Sequence, residues 1–317
     1  MKLSGSRFAF ISDLHGKNPI HFLKKLKSHP VDLVVLGGDI PDCTQRNLES
    51  ICKKFLTLNI PIIIYPGSHE NSDTYKKALS NVKNRLLIDA LKIKNRHIQF
   101  GEMDLIIIPG SDTVASGTKA FNGGNHWLFE KREPSRLKKA NQRIKEIKFA
   151  KKVNPVYVED TKKLMSTRRS KPSSRILLTH IPFSCKTTKG LDVAHFGVAK
   201  KDFRIEKKDL KEVHEEHQSV NKGAVFTLKS ATKLKKKGYP IILRKRNVGS
   251  EYISKFLKQY KITKFICGHI HEAGKRAISK SEKPIKQKVF YKESYINSGQ
   301  GLTRITCKNE KISYEFL

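Results

Sequence analysis

Five short apolar runs along this 317-residue chain each close on an aspartate or a histidine. Phe8-Ala9-Phe10-Ile11-Ser12 precedes Asp13-Leu14-His15, Leu33 to Leu36 precede Gly37-Gly38-Asp39, and Ile62 to Tyr65 precede Pro66-Gly67-Ser68-His69-Glu70. Further on, Ile176 to Leu178 lead into Thr179-His180, and Phe265-Ile266-Cys267 into Gly268-His269-Ile270-His271. Such runs, bounded by turn residues, read as buried strands. Ligands of an open α/β sheet bind beyond the carboxyl ends of its strands. The pattern therefore predicts that side chains from most of the chain converge on one rim, as a metal site requires. Any one of these histidines alone reads more simply as a core or surface residue; their joint placement changes the reading.

Between the runs lie amphipathic stretches. Apolar segments at 8–12, 33–36, 62–65 and 105–108 alternate with helical candidates near 19–28, 45–58 and 73–81. Leu48, Ile51, Cys52 and Phe55 have the spacing of one buried helix face. The texture then changes. Residues 131–171 hold fifteen Lys or Arg against four Asp or Glu, and Leu137, Ala140, Ile144 and Ile147 suggest an amphipathic helix among them. We read about 111–175 as a basic insertion or cap, although a solvated helical hairpin is the commoner fate of such charge runs. The weakly patterned stretch at about 186–250 reads as long connections with some helix near 206–217. Ile253, Phe256, Leu257 and Tyr260 restore a helix face before the run that ends at Gly268. From Val289 to Phe316, alternating residues across turns at Asn297-Ser298-Gly299 and Lys308-Asn309 predict antiparallel strands. The whole, 1–317, reads as a single domain.

The balance of 64 basic against 29 acidic residues, a formal charge of +35, favours an anionic partner, nucleic acid first among them. Forty-nine of the basic residues are Lys, which is a weaker mark of phosphate recognition than Arg, so a merely solvated surface competes with that reading. Five scattered cysteines without a Cys-x-x-Cys pair suggest a reduced, cytoplasmic protein. No apolar run nears the roughly 20 residues needed to cross a bilayer, and the first residues lack the apolar stretch of a signal peptide. No membrane partner is expected. His126, His195 and Trp127 lie outside the blocks and read as structural, with Trp127 also able to stack on a base.

Carboxylates and imidazoles without thiolates suit borderline divalent ions such as Mn, Fe, Zn, Ni or Co. Seven such groups are too many for one ion that keeps open positions. Two ions sharing a carboxylate would use them all, and such pairs activate water against phosphorus.

The ordered blocks Asp13-Leu14-His15, Gly38-Asp39, Gly67-Ser68-His69-Glu70, His180 and Gly268-His269-Ile270-His271 resemble those of the calcineurin-like metallophosphoesterases. The Ile296-Asn297-Ser298-Gly299 turn is similar to one that many members carry after their last histidine block. This resemblance implies a four-layer αββα sandwich, α/β in class, with the metal rim at one edge. It assigns Asp13, His15 and His271 to one ion, Asp39 to a bridge, and His180 and His269 to the second ion. His69 would stabilise transition-state charge or protonate the leaving oxygen, with Glu70 orienting its ring. The family usually has Asn where this chain has Ser68, so the second ion would be held by a shorter hydroxyl donor, directly or through water.

The expected function is a two-metal phosphoesterase, a phosphodiesterase for a nucleotide-containing substrate or nucleic acid. The alternatives are a phosphatase or phosphodiesterase for a small phosphorylated metabolite, and a noncatalytic scaffold on the same fold.

Overall fold

The computed structural model describes residues 1–41, 45–70, 72–93, 96–110, 126–130, 154–158, 171–213 and 218–317. In chain order the first part runs β1 (Lys2–Leu3), β2 (Arg7–Ile11), α1 (Ile20–Ser28), β3 (Leu33–Gly37), α2 (Gln45–Leu56), β4 (Ile62–Tyr65), α3 (Ser72–Asn81), β5 (Leu87–Asp89), β6 (His97–Phe100) and β7 (Met103–Ile108). The middle comprises β8 (His126–Glu130), β9 (Asn154–Val158), β10 (Arg175–Thr179), β11 (Val193–Ala199), β12 (Phe203–Arg204), α4 (Lys207–Val213), β13 (Ser219–Val220), β14 (Val225–Thr227), α5 (Leu228–Lys236) and β15 (Ile241–Asn247). The chain closes with α6 (Glu251–Gln259), β16 (Lys264–Cys267), β17 (Arg276–Ile278), β18 (Ser294–Asn297), β19 (Leu302–Lys308) and β20 (Lys311–Phe316).

Two large sheets lie face to face. One is ordered β20-β19-β2-β3-β4-β5, the other β1-β6-β7-β10-β16-β18-β17. Their central strands are parallel, β2 to β3 to β4 in the first and β7 to β10 to β16 to β18 in the second. Strands covered on both faces can be apolar at every position, which is why the runs at 33–36, 62–65 and 105–108 show no polar alternation. The pleat still sorts them. Phe8, Phe10, Leu33, Val35 and Ile63 meet Leu105, Ile107, Ile176, Leu178 and Ile266 between the sheets. Ala9, Ile11, Val34, Leu36, Ile62 and Ile64 point outward onto Leu48, Ile51, Cys52 and Phe55 of α2 and Tyr75 and Ala78 of α3. On the far side, Leu177, Phe265 and Cys267 pack on Ile253, Phe256 and Leu257 of α6. The αββα sandwich thus follows from two layers of alternating side chains and two amphipathic helix layers.

Two sequence readings change. The stretch read as long connections at about 186–250 is built: β14, β11 and β15 form an antiparallel sheet, and α5 packs Ala231 and Leu234 against Ala199, Phe226 and Ile241. Its strands were hard to see because β11 carries Gly197 and β15 carries Arg244-Lys245-Arg246. The expected helix there is α4. In the tail, β19 and β20 are antiparallel as expected, but β18 runs parallel to β16 in the other sheet. Asn297-Ser298-Gly299 is therefore a crossing between sheets, not a hairpin turn. The helix expected around Leu137 to Ile147 lies outside the described residues, as does most of the basic insertion; β8 and β9 pair with each other in parallel.

Candidate metal centre

The strand ends place the polar residues at one rim. Past Ile11 and Gly37 the two exit loops stay in register: Asp13 N–H donates to Gly38 O at 3.0 Å, His15 N–H to Asp39 O at 3.0 Å and Gly16 N–H to Ile40 O at 2.9 Å. This tight pairing forces left-handed backbone at Asp13 (φ 59°), His15 (φ 46°) and Asp39 (φ 54°), and His269 adopts it too (φ 69°). Non-glycine residues rarely take this conformation, which costs on the order of 1 kcal/mol or more each. Four of the seven candidate ligand and acid–base groups share it. Close approach is also required: Gly38 (φ 89°) passes so near Gly67 that a Cβ there would lie 2.6 Å from Gly67 Cα and 2.7 Å from His180 Nδ1.

Donor atoms gather in overlapping groups, Asp13 with His15 and His271, Asp39 with His180 and His269, and His15 with Asp39 and His69, each within 4.8 Å. In the first group His271 Nε2 stands 3.2 Å from both Asp13 Oδ1 and His15 Nε2. In the second, His180 Nε2 stands 3.1 Å from both Asp39 Oδ2 and His269 Nδ1. Zn-like ions hold N and O donors at about 2.0–2.2 Å, so neighbouring donors of one shell stand roughly 3–3.5 Å apart. The residues fit two divalent ions on that measure. His180 Nδ1–H donates to Gly37 O at 3.1 Å, which turns Nε2 toward the cluster, the usual anchoring of a metal-binding imidazole.

Burial grades from base to mouth. Asp13, Asp39 and His180 are buried, His15 and His269 intermediate, and His271 and His69 exposed. Electrostatics set the charge states. Burial alone would raise Asp39, but the adjoining His180, with His69 and His269, holds it well below the usual carboxylate range. Burial would likewise raise Asp13, but His271 and His180 outweigh it and hold the carboxyl below its ordinary range. His269 is pushed down to about 4 by burial and by the neighbouring His180, and burial lowers His15 as well. His180 is itself raised to about 10, because Asp39 outweighs the burial that would lower it. Asp13 and Asp39 stay ionised and His15 and His269 neutral at pH 7, the states that bind cations, while an ion would have to displace the proton that Asp39 stabilises on His180.

Two further expected residues, Glu70 and Ser68, bond their neighbours at the rim. The Glu70 carboxylate is buried and accepts from Ile40 N–H at 3.0 Å and Gly67 N–H at 2.7 Å. It braces the loops after β3 and β4 through one backbone donor on each oxygen. Ser68, also buried, donates its hydroxyl to Asp39 Oδ2 at 2.9 Å, while Ser68 N–H and His69 N–H donate to Asp39 Oδ1 at 2.5 and 2.8 Å. Residues that the spacing did not single out complete the frame. Asn297, buried in the crossing, donates to Ile270 O at 3.2 Å and to Leu191 O at 2.8 Å, and Ser12 Oγ donates to Gly299 O at 2.9 Å. The position of Ser12, directly before Asp13, was the only sequence signal for its role. Exposed Lys17, two residues beyond His15, donates to Gln300 Oε1 at 3.3 Å.

A family model described as calcineurin-like phosphoesterase matches residues 6–273. No curated protein matches the chain. Among solved structures, one at 10% identity covers 98% of this chain and 99% of its own with a TM-score of 0.50, a likeness of fold. A dimetal phosphatase from Danio rerio is 11% identical, with 98% of this chain and 95% of that chain covered and a TM-score of 0.48. A protein from Thermus thermophilus is 10% identical over 98% and 99% of the two chains, at a TM-score of 0.44.

Proposed function

This chain belongs to the calcineurin-like phosphoesterase family and is a metal-dependent hydrolase, and from that premise we propose that it is a two-metal phosphodiesterase acting on a nucleotide-containing substrate, nucleic acid above all. The observation that carries the reading is the approach of two donor triads, Asp13 with His15 and His271 and Asp39 with His180 and His269, at one rim. Asp39 lies between them, since it also groups with His15 and His69. Mn, Fe, Zn, Ni or Co suits this donor set. When bound, the two ions supply a nucleophilic water and neutralise charge on the phosphoryl oxygens.

The residues do the rest. Asp39 is held in place by three donors from Ser68 and His69, which would fix the orientation of a bridging carboxylate. Ser68 is assigned to the second ion, directly or through water, because a hydroxyl that donates its proton to Asp39 keeps its lone pairs for a cation. His69, with a half-exposed side chain whose Nε2 is 3.8 Å from Asp39 Oδ2, stands where it can give a proton to the leaving oxygen. The surplus of +35 charges supports a polyanionic substrate, and the buried free thiols Cys52, Cys185, Cys267 and Cys307 support a reducing, cytoplasmic setting. No described helix is long and apolar enough to cross a membrane.

The test is hydrolysis of bis(p-nitrophenyl) phosphate, p-nitrophenyl phosphate and an oligonucleotide with Mn, Ni, Mg or Zn, beside an Asp39→Asn control. Metal-dependent cleavage of the diester and the oligonucleotide, lost by at least about a hundredfold in the control, is expected. Cleavage of monoesters alone would replace this reading with a small-metabolite phosphatase. No cleavage with any metal would leave a scaffold.

A further inference from the structure

Among the described residues, the three-stranded sheet β14-β11-β15 has one face filled by a buried cluster and one open face. Side chains of paired residues share a face. On the filled side Gly197 pairs with Leu243 and Phe226, and a Cβ on Gly197 would lie 2.2 Å from Ala231 Cβ of α5. Ala199, Phe226, Ile241, Ala231 and Leu234 form the buried cluster there. On the other side Phe196 pairs with Arg244 and Thr227, Val198 with Ile242 and Val225, and Ala194 with Arg246.

This open face is apolar at its centre and cationic at its margin. Phe196, Val198 and Ile242 are half-buried, and none belongs to a buried cluster of the described residues. Val225 is 67% exposed, and Thr227, Arg244 and Arg246 are exposed. Among the described residues neither arginine has a hydrogen-bond or ion-pair partner. β15 is an edge strand, and charge on an edge strand discourages pairing with other chains. That role needs charge alone; it gives no reason for an aromatic ring on the same face between a guanidinium and a hydroxyl.

The face is tied to the metal rim. Leu191 O and Gly190 O, just before β11, accept from Asn297 at 2.8 Å and Arg276 at 2.7 Å. β11 packs beside the turn His271–Ala273 that carries a candidate ligand.

We propose that this face docks single-stranded nucleic acid, an unpaired base stacking on Phe196 while Arg244 and Arg246 hold the flanking phosphates. Stacking on an aromatic ring beside a cationic track is how sequence-tolerant single-strand surfaces work, and arginine grips phosphate bidentately. The proposal rests on the phosphodiesterase reading above for its purpose, and makes this sheet the element that leads a polynucleotide to the rim. Among the described residues, the strand positions on the open face include no acidic residue to repel phosphate.

Fluorescence anisotropy of labelled oligothymidylate and oligouridylate with the full chain in EDTA, which stops metal-dependent cleavage, tests it. Phe196→Ser and the double variant Arg244→Ser/Arg246→Ser are each expected to weaken binding at least about tenfold, since each removes one half of the contact. The double variant should also lose about two charges from the salt dependence. The DNA and RNA arms separate the two kinds of strand. Thermal melting close to the parent's shows that the variants fold, and hydrolysis of bis(p-nitrophenyl) phosphate, which is too small to span the sheet, should stay within about twofold. Absence of oligonucleotide binding by the parent, unchanged affinity in both folded variants, or equal affinity for inorganic polyphosphate or an acidic peptide would overturn the proposal. A parent that binds as described but cleaves no phosphodiester would overturn the phosphodiesterase reading and leave the docking face standing.

Discussion

Ser68 donates its hydroxyl to Asp39 Oδ2 at 2.9 Å, on the same oxygen that lies 3.1 Å from His180 Nε2. A short hydroxyl thus serves the carboxylate proposed to bridge the two ions. Ser68→Asn supplies a longer neutral donor to the second ion. It is expected to preserve or raise metal-dependent activity, with second-ion affinity, measured by titration calorimetry, equal or tighter. A tenfold or greater loss of activity would show that the serine belongs to another arrangement.

Glu70 ties Ile40 N–H and Gly67 N–H together. Glu70→Gln keeps one acceptor but turns an amide donor toward a buried N–H, at a cost of about 1–3 kcal/mol. Urea unfolding should show that loss, while the pH profile of hydrolysis keeps its shape. A profile that moves without a loss of stability would restore Glu70 as the partner of His69.

Gly268 leaves no room beside the first candidate ligand: a Cβ there would lie 2.4 Å from Asp13 Oδ2 and 2.1 Å from Ser12 Oγ. Gly268→Ala must displace Asp13. Metal affinity and activity are expected to fall about tenfold to a hundredfold, read by metal titration and by diester hydrolysis. Parent-like affinity would mean that Asp13 does not hold an ion.

Lys264, fully buried in β16, donates to Ser173 O at 2.5 Å, and burial lowers its pKa from 10.5. A lysine depressed in the folded state binds fewer protons there than in the unfolded chain. The penalty is therefore complete below the folded pKa and is relieved as pH rises through it toward 10.5. Lys264→Met should raise stability at pH 7 by about 1 kcal/mol and flatten the rise on the alkaline side. Thermal unfolding between pH 7 and 10.5 checks this, and a destabilised variant with the rise retained would contradict it.

The parallel core was legible because β2, β3, β4, β10 and β16 are apolar runs that end abruptly, and the helix face of α2 because Leu48, Ile51, Cys52 and Phe55 keep its period. Positions that follow a strand directly, such as Asp13, Asp39 and His180, were readable for the same reason. Strand direction was not: nothing in the alternation of Ser294–Asn297 distinguishes parallel from antiparallel pairing. β11 and β15 were hidden because their open face carries Phe196 and arginines where a buried strand would carry aliphatics. The partners of Glu70 were hidden for a different cause, since backbone N–H groups of Ile40 and Gly67 have no residue identity to read.

Crystals of the chain grown with Mn and measured at the manganese absorption edge test the central claim most directly. Two anomalous peaks are expected, one within bonding distance of Asp13, His15 and His271 and one within that of Asp39, His180 and His269, separated by about 3.5–4 Å. Absence of both peaks, or manganese bound only away from this rim, would contradict the dinuclear centre.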